Sequence, residues 1–289
     1  MKDTVEDIVS FLLGVRCAAL PLSRCRIIRP YLLERADIGM SGTALFFAVP
    51  YLVSADARDT GRNLSLYAVP RDYHLYIREL GERLLPVLRD AFPDLRFALF
   101  SDHSPLAEVD GAARAGLGVT GMNGLLITPE YGSFVFIAEV VTDATYEVVT
   151  GHPSPNFPDE PPSCLGCGSC VRVCPGGCSG RDSSSCLSAL TQKKGALTED
   201  EAARLSRHRL VWGCDDCQTV CPMNRAVLSG GHDTPIRFFR DGRLTRLSLS
   251  ALDGMSDADF SARAYSWRGR TVIRRNLVLH DNPDSEKED

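Results

Sequence analysis

The chain has 289 residues, of which 44% are hydrophobic and 24% charged, and its formal net charge is −5. This composition is that of a globular protein large enough to bury a core, and the negative balance excludes a uniformly basic nucleic-acid-binding surface. The longest apolar run, around residues 44–53, is interrupted by Pro50 and is far too short to span a membrane. The N-terminus carries acids where a secretory signal carries bases, so we expect a cytoplasmic protein. In that compartment, eleven cysteines indicate metal binding, catalysis or exposed thiols.

Apolar spacing predicts that helices and strands alternate through the first half of the chain. In chain order we predict a helix at residues 4–13, a strand at 43–49, a helix at 73–88, a strand at 95–100, a helix ending at 114, and strands at 125–128 and 134–142. Strand, helix and strand in succession indicate an α/β arrangement with at least part of its sheet parallel. Pro86 is expected to kink or interrupt the helix in which it lies.

A glycine-rich segment follows the helix that ends at Arg114, and it contains a G-x-G-x-x-G match at residues 116–121. A dinucleotide-binding fingerprint follows a strand and opens a helix, whereas this match follows a helix and precedes a strand. We therefore reject a dinucleotide site here. The glycines instead indicate a turn, or a close approach of the backbone to another group.

Five prolines between residues 148 and 162 indicate a linker. We therefore predict a first domain at residues 1–150 and a second at 151–280, followed by a polar, acidic tail at 281–289 that we expect to be disordered.

Two helices are predicted in the second domain from their N-terminal caps. Thr198 and Glu201 form a capping-box pattern that predicts a short helix through Leu205. Ser256 is expected to cap a helix that runs through about Tyr265.

Two cysteine runs dominate the second domain. The first, at residues 164–175, has the spacing C-x2-C-x2-C-x3-C-P, which is the bacterial signature of a [4Fe–4S] cluster, and the second, at 214–222, has C-x2-C-x3-C-P. Where two such clusters occur together, the cysteine before the proline binds the other cluster. The second run needs one more thiolate, for which Cys186 is our choice and Cys178 is the spare. The predicted ligands are Cys164, Cys167, Cys170 and Cys221 for one cluster, and Cys174, Cys186, Cys214 and Cys217 for the other.

Zinc is the alternative, because paired C-x2-C motifs also form zinc ribbons. Four cysteines at this spacing before a proline exceed what a tetrahedral zinc site needs, so we favour iron–sulfur clusters. Disulfides are less favoured still, because a chain of this length forms a core without them.

The remaining motifs show that the chain resembles the epoxyqueuosine reductases, a family of cobalamin and iron–sulfur enzymes that complete queuosine in tRNA. The matching segments are Arg71-Asp-Tyr-His74, Asp102-x-x-Pro105-x-x-Glu108, Arg114-Ala-Gly-Leu-Gly118, Gly121-x-Asn123, Gly132-Ser133-Phe134 followed by Glu139, Gly213 to Arg225, and Arg275-Asn276. The resemblance covers roughly residues 44–279. It implies an α+β protein, in which an α/β cobalamin-binding domain is followed by a ferredoxin-like domain with two [4Fe–4S] clusters.

The resemblance also implies roles for single residues. Asp102 matches the family aspartate thought to protonate the substrate oxygen, and such an acid needs an apolar site that raises its pKa. The alternative is that Asp102 caps a helix starting near Pro105. We interpret His74 and His103 as supporting groups rather than cobalt ligands. The expected cobalamin contacts are Arg114, Gly116, Gly118, Gly121, Asn123 and Ser133.

The chain departs from the family pattern at several positions. Val109 stands where the family usually has arginine, Val119 and Met122 replace a usual tryptophan and lysine, and the region before residue 43 is shorter than expected. Two hypotheses therefore remain. One is an oxidoreductase that uses cobalamin to reduce the queuosine precursor in tRNA or another small electrophile. The other is a two-cluster electron-transfer protein without cobalamin.

Partners follow from the same resemblance. A reductase of this kind needs an external low-potential electron donor, such as ferredoxin or flavodoxin. A tRNA partner is indicated by the resemblance and by five arginines between residues 263 and 275, which could contact phosphates. The alternative for these arginines is a solvated helix end.

Overall fold

The computed structural model describes residues 3–178, 183–230 and 232–281. All of the predicted acidic tail except Asp281 lies outside the described residues. The chain divides into two compact units. We call Met1–Pro50 with Tyr76–Gly166 the sheet unit, and Tyr51–Leu75 with Cys167–Asp289 the cysteine unit. The first unit thus extends beyond residue 150, and a segment from the first half of the chain groups with the second unit. The division into functional domains at residue 150 stays a prediction.

The sheet unit is built on one four-stranded sheet. The strands of the structure are β1 (Cys17–Pro21), β2 (Thr43–Pro50), β3 (Phe97–Phe100), β4 (Val119–Thr120), β5 (Leu126–Ile127) and β6 (Val135–Thr142). The four-stranded sheet has the order β1-β2-β6-β3, and β4 and β5 form a separate two-stranded sheet. All eight residues of β2 are buried, as the unbroken apolar run predicted.

Every pair of neighbouring strands in the four-stranded sheet is antiparallel, so the expectation of parallel pairing was wrong. The reason lies in the strand order. β2 and β3 run in the same direction, as the intervening helix implies, but β6 lies between them and pairs antiparallel with both. Strand β6, which comes later in the chain, therefore separates β2 and β3, the two strands that the sequence pattern predicted to be neighbours.

Six helices begin before the first cysteine run: α1 (Val5–Leu13), α2 (Pro30–Arg35), α3 (Ser54–Arg58), α4 (Tyr73–Ala91), α5 (Glu108–Arg114) and α6 (Tyr146–Thr150). The predicted helix α1 is confirmed, with Thr4 forming a capping box at its start. Helix α4 continues through Pro86 to Ala91, so the expected interruption does not occur.

Helix α5 packs closely against strands β2 and β6. A Cβ added at Gly111 would lie 2.4 Å from Cζ of the buried Phe46 ring, so the helix reaches the sheet only because this position is glycine. This contact positions the loop between β3 and α5, which carries Asp102.

In the described residues of the cysteine unit, which also contains α3, the helices after residue 166 are short. They are α7 (Ser169–Arg172), α8 (Leu187–Thr191), α9 (Glu199–Ser206), α10 (Asp216–Thr219), α11 (Arg225–Leu228), α12 (Arg237–Arg240), α13 (Leu249–Gly254), α14 (Asp257–Ser261) and α15 (Arg270–His280). Thr198 forms the predicted capping box of α9. The helix predicted from Ser256 stops at Ser261, and the longer α15 follows it.

The core of the cysteine unit surrounds Trp212 and Tyr265, whose rings meet edge to face with centroids 6.1 Å apart. The buried Asn276 on α15 donates its amide hydrogens to the carbonyls of Thr191, at 2.8 Å, and Val211, at 2.9 Å. Asn276 therefore joins three segments of this unit. Among the described helices of the whole chain, none is long and apolar enough to cross a membrane.

Candidate functional site

The cysteines of the two runs are carried by short helices and turns, and all of them except Cys164 belong to the cysteine unit. Cys170 lies on α7 and Cys217 on α10, and these two helices contact each other. The two runs, more than forty positions apart in the sequence, are therefore brought together in the fold. None of the eight predicted ligands forms a disulfide in the described residues, and all eight are at least partly accessible. A set of eight thiols at this spacing fits two [4Fe–4S] clusters.

Cys164, the first predicted ligand, belongs to the sheet unit, because the division between the units falls after Gly166. Its backbone N–H donates to the carbonyl of Thr120 at 3.0 Å, and the Thr120 N–H donates to the carbonyl of Pro162 at 2.7 Å. The glycine-rich segment thus fixes the backbone at the start of the first cysteine run.

A buried ion pair holds the second cysteine run in place. Asp215, which directly follows Cys214, accepts from Nη1 of Arg62 at 2.7 Å, and both side chains are almost fully buried. The same carboxylate accepts from the Ser65 hydroxyl and from the Leu66 N–H. The segment Tyr51–Leu75 therefore supplies charge and hydrogen bonds to the cysteine loop.

His208 lies against the second run, and nothing in the sequence analysis singled it out. Its Nε2 is 3.2 Å from a carboxylate oxygen of Asp216 and 3.7 Å from Sγ of Cys214. The ligand atoms of these three residues all lie within 4.8 Å of one another, so they could also hold a single metal ion. Burial raises the pKa of the Cys214 thiol, which means that this thiolate needs a cation or cluster to form.

The cysteines outside the predicted ligand set behave differently. Burial raises the pKa of both Cys17 and Cys25 to about 12, which agrees with their interpretation as packed, unreactive thiols. Cys178 donates its backbone N–H to Sγ of Cys174 at 3.4 Å. The backbone of Cys178 therefore lies next to the predicted ligand Cys174.

The glycine-rich segment forms the hairpin of β4 and β5. A Cβ at Gly118 would lie 2.3 Å from the carbonyl oxygen of Ile127, and one at Gly121 would lie 2.3 Å from Oδ1 of Asn123. Gly118 is thus required by a contact with the backbone, whereas Gly121 faces the movable end of the Asn123 side chain. Gly116 differs, because it has a φ of 97° and a Cβ there would meet nothing within 4 Å. Of the glycines expected to contact cobalamin, Gly116 is the one that borders open space.

The other expected cobalamin contacts also have partners within the sheet unit. Arg114 donates from Nε to the carbonyl of Pro158 at 3.1 Å, and Nη1 is 3.7 Å from the Asp110 carboxylate. Asn123 accepts from the N–H of Leu125 at 3.3 Å, and Ser133 is buried. All six expected contacts lie in the segment that runs from the end of α5 to the start of β6. Their role in binding cobalamin stays a prediction.

Asp102 lies in the loop between β3 and α5, in the left-handed region with a φ of 60°. Helix α5 begins at Glu108 with Ala107 at its N-cap, so the alternative that Asp102 caps this helix was wrong. Asp102 is exposed, which also contradicts the expected apolar surroundings. Its backbone N–H donates to Oε1 of Glu108 at 2.9 Å. Its assignment as the acid stays a prediction.

Two serines fasten the Asp102 loop to β6 on either side of Asp102. The Ser101 hydroxyl donates to the carbonyl of Ile137 at 2.7 Å, and the Ser104 hydroxyl donates to Oε1 of Glu139. The Ser104 oxygen also accepts from the N–H of Leu106 at 2.9 Å. The left-handed conformation at Asp102 is therefore held by bonds to the central sheet.

Glu139 and Glu108 carry the perturbed carboxyl groups of this region. Glu139 is fully buried, and desolvation together with the neighbouring Glu108 carboxyl raises its pKa well above the usual value. Desolvation also raises the pKa of Glu108, to about 7. The sequence analysis recorded both residues only as family motif positions, and burial in the centre of the sheet explains why no local pattern marked them.

The arginines between residues 263 and 275 are mostly paired inside the cysteine unit. Arg270 donates to the carbonyls of Leu252 and Met255 at the end of α13, at 2.8 and 2.7 Å. Arg275 donates to the carbonyls of Lys193 and Gly195, both at 2.8 Å. These bonds favour a structural role for both residues.

Two further arginines of this stretch are also accounted for. Arg274 pairs with Asp253. Arg268 differs from the rest, because its guanidinium lies 3.6 Å from the ring centre of the exposed Trp267. Arg268 and Trp267 are therefore the part of the stretch that presents a cation and a ring together.

Comparisons with known proteins agree with this arrangement. The family model described as a 4Fe-4S double cluster binding domain matches residues 163–224. An epoxyqueuosine reductase of Listeria monocytogenes is 39% identical over 220 residues, which is 72% of this chain and 54% of that protein. The epoxyqueuosine reductase of Escherichia coli is 36% identical over 169 residues, which is 56% of this chain and 41% of that protein. The chain spans about half the length of the curated relatives it matches.

Solved structures show the same likeness. A structure of epoxyqueuosine reductase from Bacillus subtilis is 25% identical, with a TM-score of 0.70, over 95% of this chain and 80% of that chain. A crystal structure of epoxyqueuosine reductase with an epoxyqueuosine-modified tRNA-Tyr stem loop is 24% identical, with a TM-score of 0.71 and the same coverage. The resemblance to this family and the α+β fold class are therefore confirmed. The cluster part of the cofactor prediction is supported, since the matched family model is a 4Fe-4S double cluster binding domain, whereas cobalamin stays a prediction.

Proposed function

We propose that this chain is an oxidoreductase that uses two [4Fe–4S] clusters and cobalamin to reduce epoxyqueuosine to queuosine in tRNA. The observation that carries the proposal is the coexistence, in one chain, of the double-cluster cysteine set and an acidic cluster at a strained loop. Sequence identity of 30–39% to epoxyqueuosine reductases over 72% of the chain supports the same substrate.

In this proposal the eight cysteines hold the clusters, and residues 114–133 face the cobalamin, with Gly116 as its open approach. Bound cobalamin supplies a cobalt centre reducible to a strong two-electron nucleophile. The chain itself holds the clusters, positions the substrate and supplies protons. Asp102, held at β6 by the two serine bonds, is the residue that donates a proton to the substrate oxygen.

The electrons come from an external low-potential donor, such as ferredoxin or flavodoxin. We expect the reaction to occur in the cytoplasm, where thiols stay reduced and the clusters keep their ligands. The tRNA contact is assigned to the exposed Trp267 and the half-buried Arg268 beside it, because a ring and a cation side by side suit a base and a phosphate.

A second candidate is an electron-transfer protein that holds both clusters without cobalamin. The packing of Gly118 favours it, because the contact with the Ile127 backbone explains this glycine without a corrin. The two candidates differ in one measurable quantity, which is cobalt bound per chain.

The proposal is tested by anaerobic purification followed by iron, sulfide and cobalt analysis after incubation with cobalamin. The loaded protein is then given an epoxyqueuosine-modified stem loop and a low-potential reductant, and the product is weighed by mass spectrometry. We expect about eight irons, stoichiometric cobalt, and a product lighter by one oxygen. Asp102→Asn should abolish turnover while keeping both metals. Eight irons with no cobalt and no turnover would favour the second candidate, and stoichiometric zinc without iron would contradict both.

A further inference from the structure

Reducing an epoxide to an alkene breaks both C–O bonds, and the oxygen leaves as water. The reaction therefore consumes two electrons and two protons. The clusters and the external donor account for the electrons, but Asp102 accounts for one proton only. A second proton donor inside the chain would supply the other proton without a proton transfer from solvent water.

We propose, on the basis of the function above, that Glu108 and Glu139 hold a proton between them and pass it to Asp102. The two glutamates share one proton, and Glu108 is the residue that transfers it to Asp102. Neither residue touches the substrate in this scheme, so both are positioning residues for the proton rather than catalytic residues.

The burial of Glu139 makes it the holder of the proton. Its side chain projects from the central strand β6, where it is opposite Phe46 on one side and Phe100 on the other, and it is fully buried. The Ser104 hydroxyl donates to Oε1, and the Glu108 side chain is a second hydrogen-bonding neighbour of this buried carboxyl. An ionised carboxylate in such a place costs several kcal/mol, and a protonated one avoids this cost.

The position of Glu108 makes it the link to the loop. It lies at the start of α5, and its Oε1 accepts the Asp102 N–H at 2.9 Å. Repulsion by the Asp102 charge contributes to the raised pKa of Glu108, so the two carboxyls are close enough to sense each other. A proton on the pair therefore has a neighbouring carboxylate to move to once Asp102 has given up its own.

The groups that face the pair are few, and most of them favour the protonated state. Asp102 raises the pKa of both glutamates, and the thiol of Cys25 faces Glu139 as a neutral group at neutral pH. Arg29 is a facing cation that lowers the pKa of Glu108, and its Nη1 donates to the carbonyl of Ser104 at 2.9 Å. The balance leaves Glu108 with a pKa of about 7, where it can both take up and release a proton.

The first test looks for the proton itself and needs no substrate. Infrared spectra of the full cluster-loaded chain, labelled with carbon-13 in the glutamate carboxyls, report protonated glutamic acid directly. We expect such a band at pH 7 in the unmodified chain, its weakening in Glu139→Gln, where Glu108 alone remains to carry the proton, and its full persistence in Glu130→Gln, a matched change at an exposed position. Asp102→Asn should move the titration midpoint of Glu108 to lower pH. A spectrum without protonated glutamic acid at pH 7 overturns the inference, even if turnover is normal.

The second test asks whether the proton is delivered. Turnover with saturating reductant is measured against pH for Glu108→Gln, Glu139→Gln and the Glu130→Gln control. We expect Glu108→Gln to lower turnover by about a hundredfold and to remove the decline above about pH 7, because glutamine keeps the acceptor for the Asp102 N–H but carries no proton to give. A Glu108→Gln profile that matches the control overturns delivery.

The two proposals fail in distinguishable ways. A normal glutamic acid band in a chain that does not reduce epoxyqueuosine overturns the proposed function and, with it, delivery to that substrate. Iron content and the circular dichroism of each variant show whether it has folded. Should Glu139→Gln fail to fold, Glu108→Gln alone decides, because Glu108 is only partly buried.

Discussion

Arg62 and Asp215 form an ion pair at 2.7 Å inside the cysteine unit, although 153 positions separate them in the chain. Asp215 lies next to Cys214 and also binds Ser65 and Leu66. The pair thus fixes the second cysteine run to a segment that precedes most of the sheet unit in the sequence.

Removing one partner of this pair should be costly. Arg62→Met leaves the Asp215 carboxylate buried and unpaired, and we expect the free energy of unfolding to fall by about 3–5 kcal/mol. Denaturant unfolding of the anaerobic protein measures this. Arg237→Met is the matched control, because Arg237 forms an exposed ion pair with Asp241, whose loss should cost less than about 1 kcal/mol. Equal effects in the two variants would show that the buried pair does not hold the unit together.

The choice between the two spare cysteines is decided by iron analysis. Cys186→Ala should disturb one cluster and lower the iron content from about eight per chain to about four. Cys178→Ala should leave about eight, because the contact of Cys178 with Cys174 uses the backbone N–H, which alanine keeps. The reverse result would assign Cys178 to the cluster in place of Cys186.

A hydrogen bond to a cluster sulfur stabilises the reduced state, so His208 should tune one reduction potential. We expect His208→Leu to shift the potential of the cluster bound by Cys214 to more negative values, since the contact of Nε2 with Sγ at 3.7 Å is lost. A redox titration followed by electron paramagnetic resonance measures the shift. His232→Leu serves as the control, because His232 is exposed. Two unchanged potentials would show that His208 does not act on the cluster.

The arginines near the end of the chain should separate into two classes. Arg268→Gln is expected to weaken binding of a tRNA stem loop and to reduce the slope of log affinity against log salt by roughly 0.7–0.9. Arg270→Gln should instead lower the free energy of unfolding, since Arg270 binds the carbonyls at the end of α13. Binding isotherms at several salt concentrations, with unfolding curves alongside, test both. Loss of tRNA affinity in Arg270→Gln at full stability would reverse the assignment.

The glutamate pair should make the stability of the chain depend on pH. Both folded pKa values are raised above the ordinary value of 4.5, so the folded state binds more protons than the unfolded state between pH 4.5 and about 7. The free energy of unfolding contributed by Glu108 therefore falls as pH rises through this window, by up to about 1.4 kcal/mol per pH unit. Comparing Glu108→Gln with the unmodified chain across the window isolates this term. A constant difference between the two would contradict the raised pKa.

Features set by local sequence were predictable, and features set by distant contacts were not. The caps at Thr4 and Thr198 and the cysteine spacing each act within a few residues, and the structure bears out both capping boxes. The sheet direction was missed because β6 enters between β2 and β3 from later in the chain.

The candidate site shows the same limit. The glycine at position 118 is visible in the sequence, but the reason for it is not. A side chain there would collide with the carbonyl of Ile127 in β5, and that contact exists only once the hairpin has formed. The density of arginines after residue 263 suggested a free basic surface, whereas Arg270 and Arg275 bind carbonyls that are distant in sequence. No motif in the sequence marks His208, because its side chain meets Cys214 only once the chain between them has folded back.

The order of the segments in the chain has a consequence for biosynthesis. At ribosomal rates of about 5–20 residues per second, Arg62 is made roughly 8–30 s before Asp215. The sheet unit can complete itself in that interval, while the segment Tyr51–Leu75 has left the ribosome without the cysteine runs it packs with. The cysteine unit therefore cannot close before the second cysteine run has been made, and insertion of both clusters has to wait for that run.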